Sequence, residues 1–312
     1  MPKLNFNPST DIPSLDGKAI LVTGGTAGLG YETVLSLAAH NPAHIFFTGR
    51  SQSSANELLD QAQAAHPNTK ITFIQCDQAS LTSVQEAVRT ITSQTDRLDT
   101  LIANAGIMAQ PPAQTKEGYE IQFGTNHVAH ALLAKLLTPL LEATYRQTFD
   151  ARVIWLSSLG YGFHPRGGIL FDQLKTDQDD IVRWSSFFGA WYRYGQSKLA
   201  NLLYARAFAA HHPNITSIAI HPGTSATGLV TGLPLLQRLF IYVTTIGQLI
   251  PPEQCAWNQQ WAAAGEKGEL ESGKFYEPVG VTGRLMFGAK DERVAEKLWE
   301  WTEKELEGWT LS

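Results

Sequence analysis

The stretch Ala19-Ile-Leu-Val-Thr-Gly-Gly-Thr-Ala-Gly-Leu-Gly30 decides the fold. A short apolar run is stopped by glycines, and from Leu29 to His40 the apolar residues recur at helical spacing. Glycines in such a strand-to-helix turn permit a tight bend and close approach of backbone to a ligand. The helix that follows offers its free N–H groups to an anion, of which a pyrophosphate is the usual example. Gly24, Gly28 and Gly30 are spaced Gly-x-x-x-Gly-x-Gly, which departs from the dinucleotide fingerprint Gly-x-Gly-x-x-Gly.

The same alternation continues along the chain. His44 to Thr48, Thr72 to Cys76, Thr100 to Ala103, Arg152 to Leu156 and Ser217 to Ile220 read as further strands, with Phe275 to Tyr276 as a seventh. Between them Ala55 to Ala65, Leu81 to Thr92, Phe123 to Tyr145, Tyr194 to His211 and Gln254 to Ala264 read as helices. Continuously apolar strands separated by helices predict an α/β fold, a Rossmann-type doubly wound parallel sheet covered on both faces. A single domain over residues 1–312 is expected, with a lead-in at 1–15 and breaks in the βα rhythm at 159–193 and 225–252. Both breaks follow late strands, at the carboxyl edge where such sheets bind ligands, so they are candidate substrate loops.

At 312 residues, 43% hydrophobic and 17% charged, the chain can bury a large core. Its net charge of −5 includes no block of like charges, which argues against a nucleic-acid footprint and favours a small-molecule partner. Cys76 and Cys255 have no metal-ligand spacing, and a reducing, cytoplasmic setting is expected. Met1 to Leu15 shows no targeting signal. Leu233 to Ile250 is the most apolar stretch, but it would span only about 27 Å as a helix and is interrupted by Gln237, Arg238, Thr244, Thr245 and Gln248, so no transmembrane segment is expected. It reads either as a buried or subunit-facing helix pair, leaving a homo-oligomer open, or as a lid over an apolar substrate.

With its leading threonine, Thr23 to Gly30 resembles the first turn of the short-chain dehydrogenase/reductase family, Thr-Gly-x-x-x-Gly-x-Gly. The family's other motifs follow in order. Asp77 ends strand three, Asn104-Ala105-Gly106 follow strand four, and Asn126 lies in the next long helix. Ser157 and Ser158 end strand five, Tyr194 to Lys198 form Tyr-x-x-x-Lys at the expected start of a helix, and Pro222, Gly223, Thr224 and Thr227 close strand six. The resemblance implies catalytic roles for Asn126, Ser158, Tyr194 and Lys198. It implies a nucleotide held by Gly24, Thr26, Gly28, Leu29, Gly30, Asp77, Asn104, Ala105, Gly106, Tyr194, Lys198, Pro222, Gly223, Thr224 and Thr227. Of the adjacent serines, the second is the family's catalytic one, and strand alternation points the two side chains to opposite sides.

The chemistry of Tyr194 and Lys198 also follows from their spacing, because residues four apart share a helix face. Bringing a phenol from ~10 to about 7 needs ~4 kcal/mol of preference for the phenolate. A unit positive charge at ~4 Å supplies about that much at an effective dielectric near 20, so Lys198 is expected to suffice with an oxidised nicotinamide ring nearby. Tyr194 would then exchange a proton with a substrate oxygen, Ser158 would hydrogen-bond that oxygen, and Asn126 would hold a water linking Lys198 to solvent.

Strand two ends in Thr48-Gly49-Arg50-Ser51, with no acid to accept from a ribose 2′-OH. Arg50, with Ser51 as an extra donor, suits a 2′-phosphate and hence NADP(H), although Ala27 offers no second cation. The break after Ser158 holds Tyr161, Phe163, His164, Phe171, Trp184, Phe187, Phe188, Trp191 and Tyr192, read either as a satellite core or as a pocket wall for a flat apolar substrate. The lead-in Asp11 to Lys18 and the long carboxyl end resemble the retinol-dehydrogenase-like branch and tailoring reductases of natural-product pathways. The expected activity is an NADPH-dependent carbonyl reductase or alcohol dehydrogenase for a bulky apolar molecule. The alternatives are non-redox chemistry on the same fold, or nucleotide binding without turnover.

Overall fold

A computed structural model describes residues 5–225, 228–245, 250–286 and 288–311. Eight strands form one sheet in the order β3-β2-β1-β4-β5-β6-β7-β8. They are β1 (Ala19–Val22), β2 (His44–Gly49), β3 (Ile71–Gln75), β4 (Thr100–Ala103), β5 (Arg152–Leu156), β6 (Thr216–Ile220), β7 (Phe275–Glu277) and β8 (Val281–Thr282). The first seven pair in parallel, and β8 adds an antiparallel edge that the sequence pattern did not announce, because two residues carry no periodicity.

The main helices are α1 (Gly28–Ala38), α2 (Gln52–Ala65), α3 (Leu81–Thr92), α4 (Ala129–Thr148), α5 (Ser186–His211), α6 (Leu235–Thr244), α7 (Pro252–Ala264) and α8 (Glu292–Glu305). Every residue of β1, β2, β4, β5 and β6 is buried, as expected for strands covered on both faces. Alternate residues feed two cores. Leu21, Leu101 and Val153 pack with α3, α4, α5 and α8, whereas Ile20, Val22, Ile102 and Ile154 pack with α1, α2 and α7. Burial at this scale, about 25 cal/mol per Å² of apolar surface, dominates the stability of the fold.

Two helices differ from their sequence reading. Tyr194 does not open its helix, because α5 begins at Ser186, where Ser185 accepts from the Phe188 amide as the N-cap. The run Phe187 to Tyr194 is bulky and largely buried, so it lacks the polar face that marks a helix start. The expected helix Phe123 to Tyr145 is a short turn at Ile121–Phe123, a π-helical turn at Gly124–Val128, and then α4. Such widened turns cluster at functional sites.

Candidate active site

The carboxyl ends of β1 to β6 converge on a cleft of about 740 Å³. Its nucleotide-side wall is the turn from β1 into α1. Gly30 belongs to that wall structurally rather than as a lining residue: a Cβ there would stand 2.3 Å from the Gly24 carbonyl and 2.6 Å from Asn104 Nδ2. Asn104 Nδ2 donates to the Thr23 carbonyl at 2.7 Å, and the Ala105 amide donates to Thr23 Oγ1 at 2.9 Å, so the ends of β1 and β4 are tied together.

The N-cap of α1 is Ala27, which has no side chain to satisfy the first-turn amides, whereas Ser51, Ser80 and Ser185 cap α2, α3 and α5. The uncapped N-terminus faces the cleft through Ala27, Gly28 and Leu29. A glycine wall, open amides and no side chain in the way suit a pyrophosphate. Arg50 is exposed at the rim of the same cleft and pairs with no carboxylate among the described residues. Ser51 does not line it, because its hydroxyl is held by the Ser54 amide at the start of α2.

At the inner end stand Ser158, Tyr194 and Lys198. Gly195 makes this possible: a Cβ would lie 2.7 Å from the Phe163 carbonyl carbon and 2.8 Å from the His164 nitrogen, so only glycine lets the 3-10 turn Leu159–Phe163 sit against α5. Ser158 hydrogen-bonds the Tyr194 phenol and accepts from the Gly160 amide at 3.0 Å, while Ser157 turns away to donate to the Lys198 carbonyl at 2.8 Å.

Burial pushes the Tyr194 phenol up to about 12, against the smaller opposing effect of Ser158. Burial likewise brings the Lys198 ammonium down to about 8. Lys198 Nζ donates to the Leu156 carbonyl at 3.0 Å and lies 5.8 Å from the centroid of the Tyr194 ring. In the chain alone, burial of the phenol outweighs the effects that favour the phenolate; the expected lowering called for an oxidised nicotinamide ring as well as Lys198.

Gly24, Thr26, Gly28, Leu29, Asp77, Asn104, Ala105, Gly106, Pro222, Gly223 and Thr224 line the cleft as expected from sequence. Thr227 lies outside the described residues. Asn126 is fully buried in the π turn and does not reach the cleft. Its Oδ1 accepts from the Ile107 amide at 2.8 Å and its Nδ2 donates to the Ile107 carbonyl and to Ser197 Oγ, each at 2.9 Å, so both amide protons are taken up within the fold while Oδ1 keeps one lone pair.

The lining also includes Gln78, Met108, Gln110, Thr125 and Cys255, which sequence reading missed because they belong to no motif. None of the nine aromatic and histidine residues singled out between Tyr161 and Tyr192 lines it. Tyr161 packs on Phe275 and Phe171 on Trp301, while Phe163, Phe187, Phe188 and Trp191 gather around Phe240 of α6. This aromatic layer stands behind Tyr194, whose ring meets Trp191 edge-on at 6.0 Å between centroids.

Comparison with known proteins fits this geometry. The family described as short chain dehydrogenase matches residues 18–169. Over 98% of this chain and 89% of the relative, the sequence is 32% identical to an uncharacterized oxidoreductase of Schizosaccharomyces pombe. The short-chain dehydrogenase/reductase drtF of Aspergillus calidoustus is also 32% identical, over 95% of each chain. The chain belongs to the short-chain dehydrogenase/reductase family. Among solved structures, the chain resembles an uncharacterized protein of Mycobacterium paratuberculosis, with a TM-score of 0.68, 28% identity and 96% of each chain covered. No described helix is long and apolar enough to cross a membrane.

Proposed function

We propose that this oxidoreductase is an NADP(H)-dependent carbonyl reductase or alcohol dehydrogenase acting on a bulky apolar or aromatic ketone, aldehyde or alcohol. The observation that carries the reading is the placement of Tyr194, hydrogen-bonded to Ser158, in the same cleft as the uncapped N-terminus of α1. One end suits a dinucleotide phosphate and the other holds a proton donor. Arg50 at the rim favours a 2′-phosphate, and Met108, Val230 and Leu233 supply an apolar flank to the substrate end.

When bound, the nicotinamide supplies or removes a hydride. In the reducing direction Tyr194 gives its phenolic proton to the substrate oxygen, and Ser158 hydrogen-bonds the same oxygen as negative charge develops. A phenol held near 12 in the free chain keeps its proton at neutral pH, so the proton that reduction needs is in place. Lys198 places a cation beside the ring and favours the phenolate that forms.

Tyr194→Phe keeps the ring and deletes the donor. Turnover should fall by about 10²- to 10⁴-fold while NADPH affinity, followed by fluorescence titration, stays near that of the parent. Parent-like turnover in Tyr194→Phe would falsify the mechanism. A parent that binds NADPH and converts substrate without oxidising it would replace the redox reading with the non-redox one.

A further inference from the structure

His130, in the first turn of α4, is fully buried and lies outside the cleft, yet its ring joins both ends of the site. Nδ1 is 2.9 Å from the Asn126 carbonyl, which can only accept, so Nδ1 carries the proton. In the neutral ring Nε2 is then an acceptor, 2.8 Å from Thr23 Oγ1 and 3.0 Å from Gln78 Nε2. Thr23 Oγ1 in turn accepts from the Ala105 amide, and Gln78 lines the nucleotide side of the cleft. On the other side Asn126 Nδ2 reaches Ser197 Oγ at 2.9 Å, and that hydroxyl donates to the Tyr194 carbonyl at 2.8 Å.

We propose that His130 is a positioning residue whose Nδ1–H holds the Asn126 carbonyl of the π turn and so ties the ends of β1, β3 and β4 to the helix carrying Tyr194 and Lys198. The proposal rests on the redox reading of the cleft. A neutral ring agrees with its burial, which brings the imidazole down to about 4. The Asn126 side chain links the turn after β4 to the same helix through Ile107 and Ser197, and His130 adds the links to Thr23 after β1 and Gln78 after β3.

Two amide variants separate the two ring nitrogens. His130→Asn carries an amide donor where Nδ1 stands, and His130→Gln carries its amide out to where Nε2 stands. Turnover per NADPH-binding site should stay within about threefold of the parent in His130→Asn and fall at least about tenfold in His130→Gln, with the NADPH dissociation constant within about threefold in both. A purely structural histidine would change melting temperature and the fraction of competent sites, not turnover per site. Equal turnover in the two variants, or His130→Gln exceeding His130→Asn, overturns the proposal. Failure of the redox reading shows separately, as a parent that never oxidises NADPH. The comparison is then made on the Tyr194 phenol, titrated by near-ultraviolet absorbance against Tyr194→Phe with NADP⁺ bound. A phenol shifted from its parent value in His130→Gln but not in His130→Asn supports the role, and equal titration in both refutes it.

Discussion

The two walls of the cleft are built on different principles. On the nucleotide side, Gly24 to Gly30 and Asn104 to Gly106 are fixed by backbone contacts and buried hydrogen bonds, with almost no side-chain bulk. On the substrate side, the flank of Val230 and Leu233 is backed by α6, which is apolar outward: Leu235, Leu236, Leu239 and Val243 are each more than half exposed, and only Ile241 of the helix is buried. Its Gln237 and Arg238 are half-buried instead, with Gln237 Nε2 directed to the Ala109 carbonyl. In the first wall a Cβ added at Gly24, Gly25 or Gly30 would come within 3.0 Å of a neighbouring atom. The second has no tight neighbour on its outer face, so local opening there costs little.

The largest difference between the walls should appear on adding one methyl group. Gly30→Ala forces a carbon against the Gly24 carbonyl, and a loss of at least about 3 kcal/mol in denaturant unfolding is expected, together with lost NADPH binding. A stable, nucleotide-binding Gly30→Ala protein would show that the first wall is softer than its packing implies.

Lys198 lies where the walls meet, and its contribution depends on pH. Burial lowers its folded value to about 8 from the ordinary 10.5, so between those values the unfolded chain binds more protons and stability rises with pH. Below about pH 8 both states are charged and the slope vanishes. Relative to Lys198→Met, the free parent should gain on the order of 3 kcal/mol across that window. Parallel stability curves for parent and variant from about pH 8 to about pH 10 would remove the buried charge from the account.

Smaller effects belong to the rims. Arg50→Asp should weaken NADPH binding by about ten- to a hundredfold, equivalent to about 1.5–3 kcal/mol, and shift preference toward NADH. A parent that binds both nucleotides equally would end the 2′-phosphate reading. Leu239→Ser on the outer face of α6 should change stability by no more than about 0.5 kcal/mol. A larger loss in the isolated protein would mean that the second wall is packed after all.

The same contrast explains what the sequence disclosed. The first wall was legible because backbone constraint is written as glycine at fixed positions, and Tyr194 and Lys198 because a helix face needs them four apart. The start of α5 was hidden, since Phe187, Ala190 and Trp191 show no polar face and the charge of Arg193 points inward, where the helix is surrounded. The π turn left no sign because an extra residue per turn changes geometry, not composition. The aromatic insertion was correctly seen as unusual, but its partners Phe240, Phe275 and Trp301 come from elements that a local pattern cannot pair with it. Arg193 and Glu120 were missed likewise: both are fully buried, 3.5 Å apart, at positions 73 residues distant in sequence.

The packing of α8 has a consequence for the order of assembly. The nucleotide wall draws on residues synthesised up to Gly106, apart from His130, which bonds Thr23 and Gln78, and the α7 side chain Gln259, which reaches the Leu29 carbonyl. The proton-donating helix is clamped by the last elements: Glu303 bonds Lys135 and Tyr204, Glu305 bonds Tyr119, and Trp299 stacks on Tyr204. A nascent chain emerging from the ribosome therefore makes most of the turn for the nucleotide long before the helix bearing Tyr194 is held in place, and chemistry waits for α8 to leave the tunnel.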